Sequence, residues 1–175
     1  MRTKAHALTA CALIGAAYAV LTLALSPISY GPIQMRLSEC LCILPFFLPL
    51  SAWGLFLGCA LANLVTGNVF DVVFGSLATL LAGLLTAWAG RLRPCLGSRI
   101  LACSAPVAVN ALVIGAVICQ AYNGFHPLED PEVFALYAGQ IALGEALVMY
   151  LVGLPLMYYL PGRRFFREFI EKANT

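Results

Sequence analysis

The chain has 175 residues, 62% of them hydrophobic and 10% charged, with a formal net charge of +2. A soluble domain is about half apolar and about a quarter charged, so this composition argues against a soluble domain and for an integral membrane protein. So small a net charge gives no sign of a nucleic-acid partner.

A membrane-spanning helix needs about 20 apolar residues to cross about 30 Å of hydrocarbon. By that measure the chain reads as six spans, at residues 5–26, 36–50, 51–66, 69–90, 98–122 and 131–160. The first has the basic start and apolar middle of a signal peptide. Its apolar run is longer than a signal core, however, and Pro27 follows the one plausible cleavage point, so it reads as a retained helix. The second carries Pro45 and Pro49. With a turn near PLSAWG, the second and third also read as one broken hairpin. No polar linker divides the chain, so residues 1–175 form one membrane domain. The fold class expected is an all-α, compact six-transmembrane-helix bundle.

Nine of the ten Lys and Arg fall in three clusters: Arg2 and Lys4; Arg91, Arg93 and Arg99; and Arg163, Arg164, Arg167 and Lys172. With six crossings all three lie on one side, which the positive-inside rule makes the cytoplasm. Both termini are then cytoplasmic, and the acidic loop with Glu129, Asp130 and Glu132 is outside. The expected location is the plasma membrane of a prokaryote, crossed several times. The seven cysteines, Cys11, Cys40, Cys42, Cys59, Cys95, Cys103 and Cys119, show no metal-ligand spacing and read as small packing residues. No metal and no cofactor is expected.

An ionisable group inside a span costs a few kcal/mol and needs a reason. In this orientation Gln34, Arg36, Glu39, Asn63, Asp71 and Gln140 fall in the outer part of the membrane. Asn110 and Glu145 fall about 18 Å from the outer ends by the ~1.5 Å rise per residue. The cytoplasmic halves of the helices are almost free of strong polar groups. This asymmetry predicts a pocket open to the outside and closed below by apolar packing. A pore would need polar lining at all depths. Plainer roles compete at several positions. Arg36 and Glu39 suit an interfacial ion pair, Asp71 suits a helix cap, and Asn63, Asn110 and Gln140 suit interhelical hydrogen bonds. On the first helix Ala12, Gly15, Ala16 and Ala19 recur at spacings of three and four. They form a smooth stripe, suited to packing within the bundle or to docking a second membrane protein.

The stretches YGPIQMRLSECLCILPFF and GLFLGCALANL, with the Ala12-x-x-x-Ala16 stripe, resemble the queuosine-precursor transporter (QueT) family among the substrate-binding subunits of energy-coupling-factor (ECF) importers. The resemblance implies a six-helix fold that captures a 7-deazaguanine, such as 7-aminomethyl-7-deazaguanine or queuine. It also implies a transmembrane coupling subunit, docked through the first helix, and two ATPase subunits as partners. The chain has no GxxxxGK[ST] loop, so any ATP hydrolysis falls to partners. A guanine-like edge offers two adjacent N–H donors and one carbonyl, which a carboxylate and an amide or Arg can serve. Of the acids Glu39, Asp71 and Glu145, Glu39 or Glu145 is expected on the base edge, with the other acid near the aminomethyl ammonium. The alternatives are a subunit for another vitamin-like solute, or a membrane-embedded enzyme using Glu39 or Glu145 as a base. For the enzyme, no nucleophile–base pair is apparent.

Overall fold

The computed structural model describes residues 2–29, 35–67 and 69–174, and every regular element among them is helical. Helix α1, Arg2–Ala24, is followed by the one-turn α2, Ser26–Ser29. A 3₁₀ helix, Leu37–Phe46, leads into α3, Ser51–Thr66, which Gly67 ends in the left-handed conformation at φ 74°. A glycine there closes a helix without a Cβ penalty. A π turn, Asp71–Gly75, runs directly into α4, Ser76–Ala89. Helix α5, Leu96–Val117, continues through a second π turn, Ile118–Tyr122. Helix α6, Pro131–Val148, passes through a third, Met149–Gly153, into α7, Leu154–Tyr159. Last comes α8, Arg164–Asn174.

Four of these stretches are long and apolar enough to cross a membrane: Ala5–Ala24, Asp71–Ala89, Leu96–Ala121 and Pro131–Gly162. They coincide with the first, fourth, fifth and sixth segments expected from the sequence. The second and third are separate but short. The 3₁₀ helix rises about 2.0 Å per residue, so its ten residues cover about 20 Å against the ~30 Å of hydrocarbon. Pro45 lies inside it and Pro49 beyond it, and a proline without an N–H interrupts the α-helical ladder. The amphipathic α8 was not among the expected segments. It packs on α1 and sets Phe166 edge-on to Phe47 at 5.4 Å.

One end of the bundle gathers the basic segments. Gly90 lies against the Phe46 carbonyl, so the loop bearing Arg91 and Arg93 meets the end of the 3₁₀ helix. The Arg99 guanidinium stacks 3.8 Å from the centre of the Tyr158 ring, and Arg163 lies 4.0 Å from that of Tyr159. Trp53 and Trp88 are exposed near the same end, as aromatic side chains are at a membrane interface. The larger apolar core, including Leu48, Leu55, Cys103, Met157 and Phe166, fills this half of the bundle.

Helices α1 and α3 cross with their backbones in contact. A Cβ on Gly15 would overlap the Gly54 carbonyl, one on Gly54 the Cys11 carbonyl, and one on Gly58 the Gly15 carbonyl. The spacing Gly54-x-x-x-Gly58 is a small-residue motif that permits such an approach. The stripe expected on α1 therefore divides. Gly15 and Ala19 are buried, while Ala12 and Ala16 stay exposed and line a surface groove of about 350 Å³ with Leu8, Trp53, Leu57 and Leu61.

Gly54→Ala should lower the thermal stability of the purified chain in detergent by about 1–3 kcal/mol, because backbone rather than a movable side chain occupies the space. Gly139→Ala, with nothing within 4 Å of the added carbon, should be neutral or stabilise by up to about 1 kcal/mol. Equal melting shifts for the two variants would contradict the close crossing.

Candidate functional site

Among the described residues, the strongly polar side chains Tyr18, Arg36, Glu39, Asn63, Asp71, Asn110 and Glu145 are buried in this apolar bundle. The 3₁₀ geometry explains part of their arrangement. Side chains at i and i+3 eclipse in such a helix, so Arg36, just before it, shares an edge with Glu39 and Cys42. Glu39 is 1% exposed, and both its carboxylate oxygens are engaged. Oε1 accepts a short hydrogen bond from the Tyr18 hydroxyl, and Oε2 accepts from the Cys42 thiol at 3.0 Å. One turn further along α1, the Thr22 and Ser38 hydroxyls share a hydrogen bond of 2.6 Å, and Thr22 also donates to the Tyr18 carbonyl at 2.9 Å. These bonds tie α1 to the 3₁₀ segment.

Glu145 is 3% exposed, on α6 across from α5. Its Oε1 accepts from Asn110 Nδ2 at 2.8 Å, while its Oε2 is buried and has no hydrogen-bond partner among the described residues. Arg36, Gly75, Asn110, Ile114, Ile141 and Glu145 line a cavity of about 10 Å³, room for about one water molecule. Asn63, on α3, donates to the Asp71 carbonyl at 2.8 Å and to the Cys59 sulfur at 3.4 Å. A Cβ on Gly75 would stand 2.9 Å from the same amide nitrogen, so Asn63 borders the cavity wall. The π turn Asp71–Gly75 thus brings a bare backbone to the centre of the cluster, and such turns are frequent at functional sites.

The structure therefore brings together Arg36, Asn110 and Glu145 around the cavity and sets Asn63 and Asp71 beside it. Glu39 lies on the 3₁₀ edge with Arg36. Gln140 is half-buried and does not line the cavity, and Gln34 lies outside the described residues. The cavity is small, with the Asn110–Glu145 bond and the side chains of Ile114 and Ile141 at its wall. Larger concavities lie on apolar surfaces: the α1–α3 groove, and a hollow of about 740 Å³ between α5 and the Asp71–Gly75 π turn, lined by Phe70, Phe74 and Leu112. Sequence reasoning missed Tyr18, Thr22, Ser38, Cys42 and Gly75. The available signal was Tyr18 followed by Thr22 four residues later, one helical face on an otherwise aliphatic segment. Among the described residues no group of three His, Cys, Asp or Glu side chains is placed to hold a metal ion.

An all-helical, strongly apolar chain with spanning-length helices and buried polar groups has the makings of a membrane transport protein. A family model described as QueT transporter matches residues 8–161, and the chain belongs to that family. The queuosine precursor transporter QueT of Lactococcus lactis subsp. cremoris (strain MG1363) is 37% identical over 81 residues, which are 45% of this chain and 48% of that protein. The match thus spans about half the length of that relative. No solved structure matches the chain.

Gly75→Ala should push the Asn63 amide off the Asp71 carbonyl and leave buried polar groups unsatisfied, at a cost of about 1–3 kcal/mol in thermal or denaturant unfolding. Retention of full stability would show that the wall of the cavity is looser than the packing indicates.

Proposed function

We propose that this transporter is the substrate-binding subunit of an energy-coupling-factor importer and that its solute is a 7-deazaguanine queuosine precursor taken up from outside the cell. The observation that carries this reading is the mid-bundle cluster of Arg36, Asn110 and Glu145, buried where charge is costly and left with an unused carboxylate oxygen. A donor-rich heterocycle suits that oxygen, and a guanidinium beside it suits the heterocycle's carbonyl. Asn63 and Asp71 adjoin the same cavity, Gln34 and Gln140 complete the proposed solute-binding set, and Glu39, bonded to Tyr18 and Cys42, supports it from the 3₁₀ edge. The name of the Lactococcus relative supports the same solute class.

The proposed topology has six crossings of the plasma membrane, two of them the short 3₁₀ helix and α3, with both termini cytoplasmic. The gathering of Arg91, Arg93, Arg99 and α8 at one end supports it under the positive-inside rule. Cys95 offers a direct test. All seven thiols are free, and Cys95 is the exposed one. The Ser98 backbone N–H, with its hydroxyl, holds the Cys95 thiol below its ordinary range, which favours the reactive thiolate. A membrane-impermeant maleimide should label Cys95 in inside-out vesicles and spare it in right-side-out ones. The reverse pattern would invert the proposed orientation.

The partners in this proposal are a transmembrane coupling subunit and two ATPase subunits. The coupling subunit docks on the groove edged by Ala12 and Ala16, with the buried Gly15 and Ala19 setting the depth of the crossing beneath it. Exposed Leu8, Leu57 and Leu61 flank small side chains there, a surface on which another helix packs closely. Replacing both Ala12 and Ala16 by Leu should reduce ATP-dependent uptake of labelled 7-aminomethyl-7-deazaguanine at least tenfold. Binding of the same compound to the purified chain should stay unchanged. Uptake that persists with inactivated ATPase subunits would count against the coupled importer.

A further inference from the structure

The two buried glutamates are not equivalent. Resting on the solute-binding reading above, we infer that Glu145 alone receives the solute's N–H edge, and that Glu39 is a brace between α1 and the 3₁₀ helix with no direct part in recognition.

Glu39 has its oxygens taken by two protein donors from different elements, the Tyr18 hydroxyl and the Cys42 thiol. Turning it toward a solute would break both bonds and leave two buried donors unpaired, which protein interiors rarely tolerate. Glu145 is buried as deeply but is only half used. Asn110 holds Oε1 at 2.8 Å and so fixes the plane of the carboxylate, while Oε2 has no hydrogen-bond partner among the described residues and its side chain lines the cavity. A carboxylate oxygen has lone pairs to spare, so Oε1 can keep the Asn110 bond and accept a second donor. The pair Oε1 and Oε2 then matches two neighbouring N–H groups, and the Arg36 guanidinium on the same cavity wall matches an adjacent carbonyl.

The recognised unit is therefore a cyclic 2-amino-6-oxo edge, with its ring N–H and exocyclic amine on Glu145 and its carbonyl on Arg36. Recognition centres on that shared edge, so solutes differing only at the 7-substituent should share the site. A compound lacking the 2-amino group leaves a buried acceptor unpaired. Sites built for a hydrogen-bonding group reject analogues without it by large factors.

The test is equilibrium binding of two probes to the purified full chain: 7-aminomethyl-7-deazaguanine, and the analogue without the 2-amino group. The wild-type chain should prefer the first at least 100-fold. Glu145→Gln should lose at least 100-fold for the first probe, and its preference should fall below tenfold. Glu145→Asp keeps the charge but withdraws it by one methylene, and should lose at least tenfold; it serves if the Gln variant does not fold. Glu39→Gln and Tyr18→Phe should lower the melting temperature yet keep affinity within fivefold and preserve the preference. Unchanged affinity in both Glu145 variants overturns the assignment, as does a loss of the 2-amino preference confined to Glu39→Gln. A wild-type chain that binds both probes equally overturns the edge-reading while leaving the deazaguanine site in place. A wild-type chain that binds neither overturns the deazaguanine reading itself, and this assignment with it.

Discussion

Charge inside an apolar bundle sets the terms for everything else in this molecule. An ionised group transferred from water into such an interior is strongly disfavoured unless hydrogen bonds or an opposite charge replace its hydration. Arg36, Glu39 and Glu145 are all more than nine-tenths buried, and the fold is arranged around meeting that demand. Glu39 meets it with donors from α1 and from its own 3₁₀ helix. Glu145 meets it in part, through Asn110 of the neighbouring helix. Arg36 lines the same cavity and supplies an opposite charge; in the proposed importer, a solute with donors to offer would complete the hydrogen bonding of Glu145.

The irregular helices serve the same demand. A regular α-helix spreads positions three apart by 60°, whereas a 3₁₀ helix eclipses them. Leu37–Phe46 thereby presents Glu39 and Cys42 on a single edge. The π turn at Asp71–Gly75 delivers a glycine and the Asp71 carbonyl to the cluster, where an added Cβ would meet Asn63. Helix α1 thus makes two kinds of contact: a close backbone crossing with α3 through Gly15, Gly54 and Gly58, and a polar one with the 3₁₀ helix, where Tyr18 reaches Glu39.

These features also mark what a linear reading can and cannot reach. The four long helices are legible because a run of 19 or more apolar residues has one dominant solution in lipid. Glu145 and Asn110 stand out because strong polarity at that depth is costly wherever the helices sit. Their mutual bond depends on the rotation of α5 against α6, which no spacing along the chain encodes. The short 3₁₀ helix was harder: its prolines signal interruption but not which helix type replaces the α-helix. Tyr18 was passed over because tyrosine is ambiguous in a membrane segment, serving as an interface anchor or as a buried donor. The small-residue stripe on α1 was visible, but its division was not. That depended on Gly54 and Gly58 of α3, whose motif makes one side of the stripe an internal crossing.

The distribution of polarity bears on how cargo could leave. From Glu145 toward the end that carries α8, buried positions are dominated by Ile43, Leu44, Met149, Leu48 and Met157. A solute that has exchanged its hydration for bonds to Glu145 and Arg36 would find no comparable partners along that route. In the proposed importer, release across the membrane would therefore require work on the bundle as a whole, by reorienting it or by prising its helices apart. A single-chain carrier would need two polar gates to alternate access. A binding subunit needs one polar site and a surface on which another protein can act. The α1–α3 groove is edged by the same helix α1 that carries Tyr18 to Glu39, so force applied at Ala12 and Ala16 would reach the Tyr18–Glu39 brace through α1. In the proposed importer, docking and solute release are coupled by that shared helix.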